Sequence, residues 1–155
     1  MRATHALVLF LTTLPLTAGA SRADRAVGLW WAEGGAAQVE IAPCAEGLCG
    51  HVVWLRSPFD ENGCPMRDSR NPDPALRDRE LVGIELLRGL RPSQSQEQWT
   101  DGDIYDPTSG HRYRAVISLD GPNRLRVRGY VGIELLGRTT TWIRVQGEPM
   151  CRMHN

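Results

Sequence analysis

The chain has 155 residues, with 18 arginines against 18 Asp plus Glu and no lysine. A formal charge of zero argues against a dedicated nucleic-acid binder, which needs a basic excess. The absence of lysine excludes Schiff-base and activated-amine chemistry and the lysine of a phosphate-binding loop.

The first twenty residues read as an export leader. Arg2 gives a positive start, Ala6–Leu16 is an apolar run, and Ala18-Gly19-Ala20 supplies the small-x-small cleavage pattern. The run is too short to span a bilayer and contains Thr12, Thr13 and Pro15. The first cysteine is Cys44, away from the cleavage point, so no lipid anchor is expected there. Residues 21–155 are then 135 residues, one domain with one core. The expected location is periplasmic or secreted, with no membrane span.

Alternating apolar and polar residues between Gly, Pro, Asn and Asp predict eight strands. They are Val27–Trp31, Gln38–Ala42, His51–Leu55, Leu81–Leu87, Glu97–Tyr105, Arg112–Leu119, Arg124–Val131 and Arg138–Gln146. Asp101-Gly102 interrupts the fifth, and residues 132–137 extend the seventh or bend away from it. The fold expected is all-β, a small closed antiparallel barrel of about eight strands. The one long connection, residues 56–80, contains Asp73-Pro74, an N-cap and first-turn pair that predicts a helical turn over Pro74–Arg79. Such a connection either carries function or covers a barrel mouth.

In an oxidising compartment four cysteines point to disulfides. Cys44 and Cys49 flank a four-residue turn and would staple a hairpin, leaving Cys64 to pair with Cys151. A zinc site from these cysteines with His51 or His154 lacks the paired C-x-x-C spacing. Residues 79–87 match residues 128–136 at seven of nine positions. In strand geometry Val82, Ile84 and Leu86 would face one way, as would Val131, Ile133 and Leu135. Glu85 and Glu134 would share the other face, to be read as solvent-facing or arginine-paired carboxylates before paired catalysts.

Several motifs occur in one order. They are Cys44-x4-Leu48-Cys49-Gly50, Val53-Trp54-Leu55, Asn71-Pro72-Asp73-Pro74-x-Leu76-Arg77-x-Arg79, and Trp99-x2-Gly102-x-Ile104-Tyr105-Asp106-Pro107-x2-Gly110-x2-Tyr113. Leu125-x-Val127-Arg128-Gly129-Tyr130 and Gly137-Arg138-Thr139-x2-Trp142-x-Arg144 close the series. Together they resemble the exported bacterial proteins of domain of unknown function 2147, over nearly the whole chain after the leader. The resemblance implies a lipocalin-like barrel and no assigned activity, with Asn71, Asp73 and Arg77 as structural residues of the loop. Gly28-Leu29-Trp30 and Arg144 also resemble the Gly-x-Trp and terminal arginine of lipocalins. That likeness implies a structural plug in which the arginine lies across the tryptophan; Trp31 and Arg138 are the alternative members.

Trp54, Trp99, Tyr105, Tyr113, Tyr130 and Trp142 hold most of the aromatic surface. In a barrel they either fill the core or line a ligand cavity, with Arg128 as a polar anchor. Arg112 and Arg114, and Arg124, Arg126 and Arg128, alternate along neighbouring strands, forming either a stripe for an anionic ligand or a solvated wall. Asp101, Asp103 and Asp106 lack the calcium-loop pattern and fit turn chemistry. No nucleophile elbow, His-Glu-x-x-His pair or phosphate loop is present. The expectation is a non-catalytic binder of a small apolar or amphipathic ligand in the bacterial envelope, without cofactor or metal. The alternative is an envelope interaction module presenting the 71–79 loop and the arginine face to a protein partner. An envelope hydrolase comes third.

Overall fold

The computed structural model describes residues 25–95 and 97–147. The expected leader, 1–20, and Cys151 lie outside the described residues. Eight strands form one closed barrel in which each strand pairs with the next and the last returns to the first. They are β1 (Gly28–Trp31), β2 (Ala37–Cys44), β3 (Gly47–Leu55), β4 (Glu85–Pro92), β5 (Gln98–Asp106), β6 (His111–Leu119), β7 (Arg124–Tyr130) and β8 (Arg138–Arg144). Among the described residues helix is limited to 3-10 geometry, in turns at Glu33–Gly35, Pro74–Leu76 and Glu134–Leu136 and at Arg25 ahead of β1.

The interior follows from the alternation of each strand. Trp30 pairs with Val39, Leu87 with Ile104, Ile117 with Trp99 and Val127, and Leu125 with Trp142. All of these except Ile104, which packs against them half-buried, are at most 3% exposed and form the main core. Fully burying each large apolar side chain contributes roughly 1.5–3 kcal/mol. The Arg144 guanidinium lies 4.1 Å over the Trp30 ring. Its nitrogens donate to the carbonyls of Pro122, Val27 and Arg25. One side chain thus ties the β6–β7 turn and the entry into β1 to the last strand. Gly28 has φ +132°, and a Cβ there would strike the Arg144 guanidinium. The side chain of Cys44 is bridged to Cys49 across the β2–β3 turn, with Cα atoms 5.8 Å apart. Cys64 is an exposed free thiol.

Two readings of the sequence need correction. The fourth strand begins at Glu85 instead of Leu81 and runs on to Pro92. Residues 79–84 belong to the loop: Arg67 bridges to Glu80, Leu81 N–H donates to the Met66 carbonyl, and Gly83 turns the chain at φ +96°. The second copy of the repeat leaves strand β7 after Tyr130. Residues 131–133 form a bend and Glu134–Leu136 a 3-10 turn, so the two copies do not share a facing pattern. Asp101-Gly102 does interrupt the pairing of β5, as a bulge inside the strand. Asp101 adopts φ +64° at a register shift and the strand continues; aspartate is among the residues that tolerate this region.

Candidate functional site

The long loop folds back on itself and lies against the barrel wall. Phe59 bridges to Pro65 and Arg67 to Glu80, giving it a two-stranded base. Asp73 caps the short turn Pro74–Leu76 by accepting from Ala75 N–H, and Arg77 Nε donates to the Asn71 carbonyl. The Asn71 side-chain oxygen accepts from Asp73 N–H. Asn71, Asp73 and Arg77 therefore shape the loop from within.

What holds the loop to the wall is a buried polar cluster around Asp68, a carboxylate with no exposed surface. Tyr105 Oη donates to one carboxylate oxygen at 2.5 Å. Asn71 Nδ2 at 2.7 Å and Arg79 Nη2 at 2.7 Å and Nε at 3.0 Å donate to the other. Burial alone would push the Asp68 carboxyl up. The hydrogen bonds from Tyr105, Asn71 and Arg79 and the charge of Arg79 outweigh it and hold the carboxyl below its ordinary value. Burial, and then the same carboxylate, raise the Tyr105 phenol. The Arg70 carbonyl rests where a Cβ on Gly110 would be. With Gly110 at φ +75°, only glycine suits this contact.

Between loop and wall lies a half-open cleft of about 570 Å³. The strand registers put it outside the barrel. Leu87, Ile104 and Ala115 face the core, so their neighbours Arg88, Tyr105 and Arg114 face outward, and Arg112 pairs with Tyr105. Arg79 and Arg112 both approach the Tyr105 ring, at 5.9 and 5.3 Å from its centroid. Arg70 and Arg88 complete the basic lining, with His111 at the rim and Pro72 and Leu76 supplying apolar surface. Glu85 pairs with Arg88 at 2.7 Å and reaches Arg112 only at 4.0 Å. A second depression, about 450 Å³ and shallower, adjoins across Arg79 and is bordered by His51 and Glu80.

The seven residues expected around a ligand do not gather at one place. Trp99 and Trp142 are packed in the core. Tyr105 sits in the cleft. Tyr113, half-buried, faces His111 with ring centroids 6.4 Å apart. Trp54 meets Trp31 edge to face at 5.3 Å. Arg128 donates to the carbonyls of Glu134 and Leu135 and to Thr139 Oγ1, fastening the 131–137 segment. Half-buried Tyr130 pairs with Arg114 at the end of β7.

The five strand arginines do share the outer face, yet their tasks separate. Arg114 faces Asp101 and Asp103, Arg124 pairs with Asp120, and Arg112 enters the cleft. Asp106 faces its own turn, accepting from Thr108 and from Ser109 Oγ at 2.7 Å. Burial raises the Asp106 carboxyl, but the Thr108 and Ser109 bonds outweigh it and lower its basicity.

Sequence reasoning missed Asp68, Arg70 and Arg88 as partners in this site. Asp68 has no motif around it; Arg88 and Arg112 come together through the pairing of β4, β5 and β6, and Arg70 joins them once the loop has folded over those strands.

Residues 28–144 match the family described as an uncharacterized protein conserved in bacteria, domain of unknown function 2147. The chain belongs to this family. The solved structure of protein HP1028 from Helicobacter pylori, described as belonging to the lipocalin family, is similar to this DUF2147 chain with a TM-score of 0.66. It is 21% identical, and the match covers 79% of this chain and 84% of that one. The likeness shows a lipocalin-like fold for the DUF2147 protein. No curated protein matches it.

Proposed function

We propose that this DUF2147 protein is an exported, non-catalytic binder of a small amphipathic molecule in the bacterial envelope. The observation that carries the reading is the cleft: its volume of about 570 Å³ falls within the roughly 300–1,000 Å³ usual for small-molecule sites. Its lining combines guanidinium donors with the apolar surfaces of Pro72, Leu76 and Tyr105. The barrel fold is one that carries small ligands in other proteins, and the Cys44–Cys49 bridge fits an oxidising compartment. Among the described residues no helix is long and apolar enough to cross a membrane. Native mass spectrometry of protein isolated from the periplasm tests the proposal. A retained small molecule, released on denaturation, is the expected result. A mass that stays at the apo value across lipid and metabolite panels sinks it.

The interaction module is favoured by a separate observation. Val131, Ile133, Leu135 and Leu136 are 59–82% exposed on one short segment, an apolar protrusion of the kind found at protein contacts. Cross-linking in intact cells, with Leu135 and Leu136 replaced by serine as the control, distinguishes this role: cross-links lost in that variant support it, and cross-links unchanged there remove it.

A further inference from the structure

We infer that the cleft between the long loop and the outer wall recognises an oxyanion, a carboxylate or phosphate head carried on a short apolar body. The inference rests on the small-molecule reading above and specifies what that molecule presents. It also moves the site from the barrel interior to the outside of β4, β5 and β6.

Charge is the first ground. Four arginines, Arg70, Arg79, Arg88 and Arg112, line the cleft, and no Asp or Glu lines it. The carboxylates these guanidiniums touch are two, Asp68 and Glu85. Four positive groups against two negative leaves an excess of two inside a concave, partly desolvated surface. Asp103 lies opposite Arg88 in the strand register and 3.9 Å from Arg114, and Glu46 also attracts Arg88, but neither acid lines the cleft.

Unused donor capacity is the second. A guanidinium has five N–H donors in a rigid fork. Arg79 commits Nε and Nη2 to Asp68 and leaves Nη1 uncommitted. Arg88 commits Nε to Glu85, leaving both terminal nitrogens. Arg112 makes no hydrogen bond among the described residues; it has only the Tyr105 ring and the 4.0 Å approach to Glu85. Yet its side chain is two-thirds covered, at 35% exposed. Burial, and then repulsion from Arg88, make the charged state of Arg112 less favourable than in water. A bidentate oxyanion relieves both, since arginine forks match carboxylate and phosphate oxygens in pairs.

Rigidity is the third. The Tyr105 ring backs Arg112, and the Asp68 cluster fixes Arg79 and Tyr105 together. Two of the donors are therefore oriented before any ligand arrives, which reduces the ordering a ligand must impose. Pro72 and Leu76 lie beside the arginines and give the apolar body a surface to cover.

Isothermal titration of the full chain with decanoate, decyl phosphate and decyl glucoside tests this. Both anions are expected to bind, about tenfold or more tighter than the neutral glucoside, and to weaken as salt is added. The preference between decanoate and decyl phosphate reports which head the site takes. Arg112→Gln, and independently Arg88→Gln, should each weaken anion binding about tenfold and leave glucoside binding unchanged. Arg126→Gln, on the outer face of β7, should leave all three unchanged. Thermal melts of the variants separate a lost site from a lost fold. Equal binding of charged and neutral probes, or anion binding that survives both cleft substitutions, overturns the oxyanion inference while the small-molecule reading stands. If none of the three probes binds, the inference is also overturned; only a retained-ligand search that comes back empty as well removes the reading beneath it.

Discussion

Asp68 shows how a single side chain is made to favour one conformation. A fully buried carboxylate is unfavourable unless its lone pairs are met, and here four donor nitrogens and oxygens from Tyr105, Asn71 and Arg79 meet them. Because the folded carboxyl is held below its unfolded value of about 3.9, its contribution is complete at neutral pH and fades as pH falls through about 4 and below. Melting temperatures measured from pH 7 downward should show wild type and Asp68→Asn converging below that point. Tyr105→Phe removes one donor and leaves both arginine–ring contacts. It should lower stability by about 1–2 kcal/mol in urea unfolding at neutral pH and weaken the acid dependence, because the Tyr105 hydrogen bond is the largest of those that lower the Asp68 carboxyl. Neither residue could be picked out beforehand as half of this pair. Tyr105 is one tyrosine in a strand, Asp68 one acid in a polar loop, and 37 residues separate them.

Within single elements, the local chemistry of the chain was informative where a strand or turn is decided by its own residues. β1, β2, β5, β6, β7 and β8 lie close to where alternation puts them, β3 starts four residues earlier at Gly47, and Asp73-Pro74 does start a turn. β4 is displaced because its boundary is decided by the loop. Residues 79–84 have good strand alternation, yet their hydrogen bonds go to Met66, Val52 and Asp68. The same point appears in the repeat, where Val-Gly-Ile-Glu-Leu-Leu buries Ile84 and Leu87 in one copy and exposes Ile133, Leu135 and Leu136 in the other. The arginine cleft was legible only in fragments: Asn71 and Arg79 in a motif, Arg112 in a stripe. Its assembly depends on the loop docking, which periodicity does not encode. Two substitutions probe elements directly. Gly110→Ala forces a Cβ onto the Arg70 carbonyl at a positive φ. It should lower stability by about 1–3 kcal/mol and speed proteolysis within residues 56–80. Replacing Cys44 and Cys49 by serine opens a short covalent loop, with an expected loss of about 2 kcal/mol in unfolding under non-reducing conditions.

Across the whole molecule, closure is achieved unevenly. β7 pairs with β8 at six register positions, whereas β1 and β8 share two, Trp30 with Arg144 and Trp31 with Ile143, continued by Val145 N–H donating to the Leu29 carbonyl. Arg144 thus belongs both to the shortest junction in the sheet and to the cap over Trp30. If Arg144→Lys keeps the charge but loses the fork, amides of β1 and β8 should exchange with deuterium well before those of β6 and β7, and earlier than in wild type. Uniform loosening of all eight strands would contradict this. The consequence is directional: strain applied to the wall, by heat or by a partner, is released first along the seam between the first and last strands.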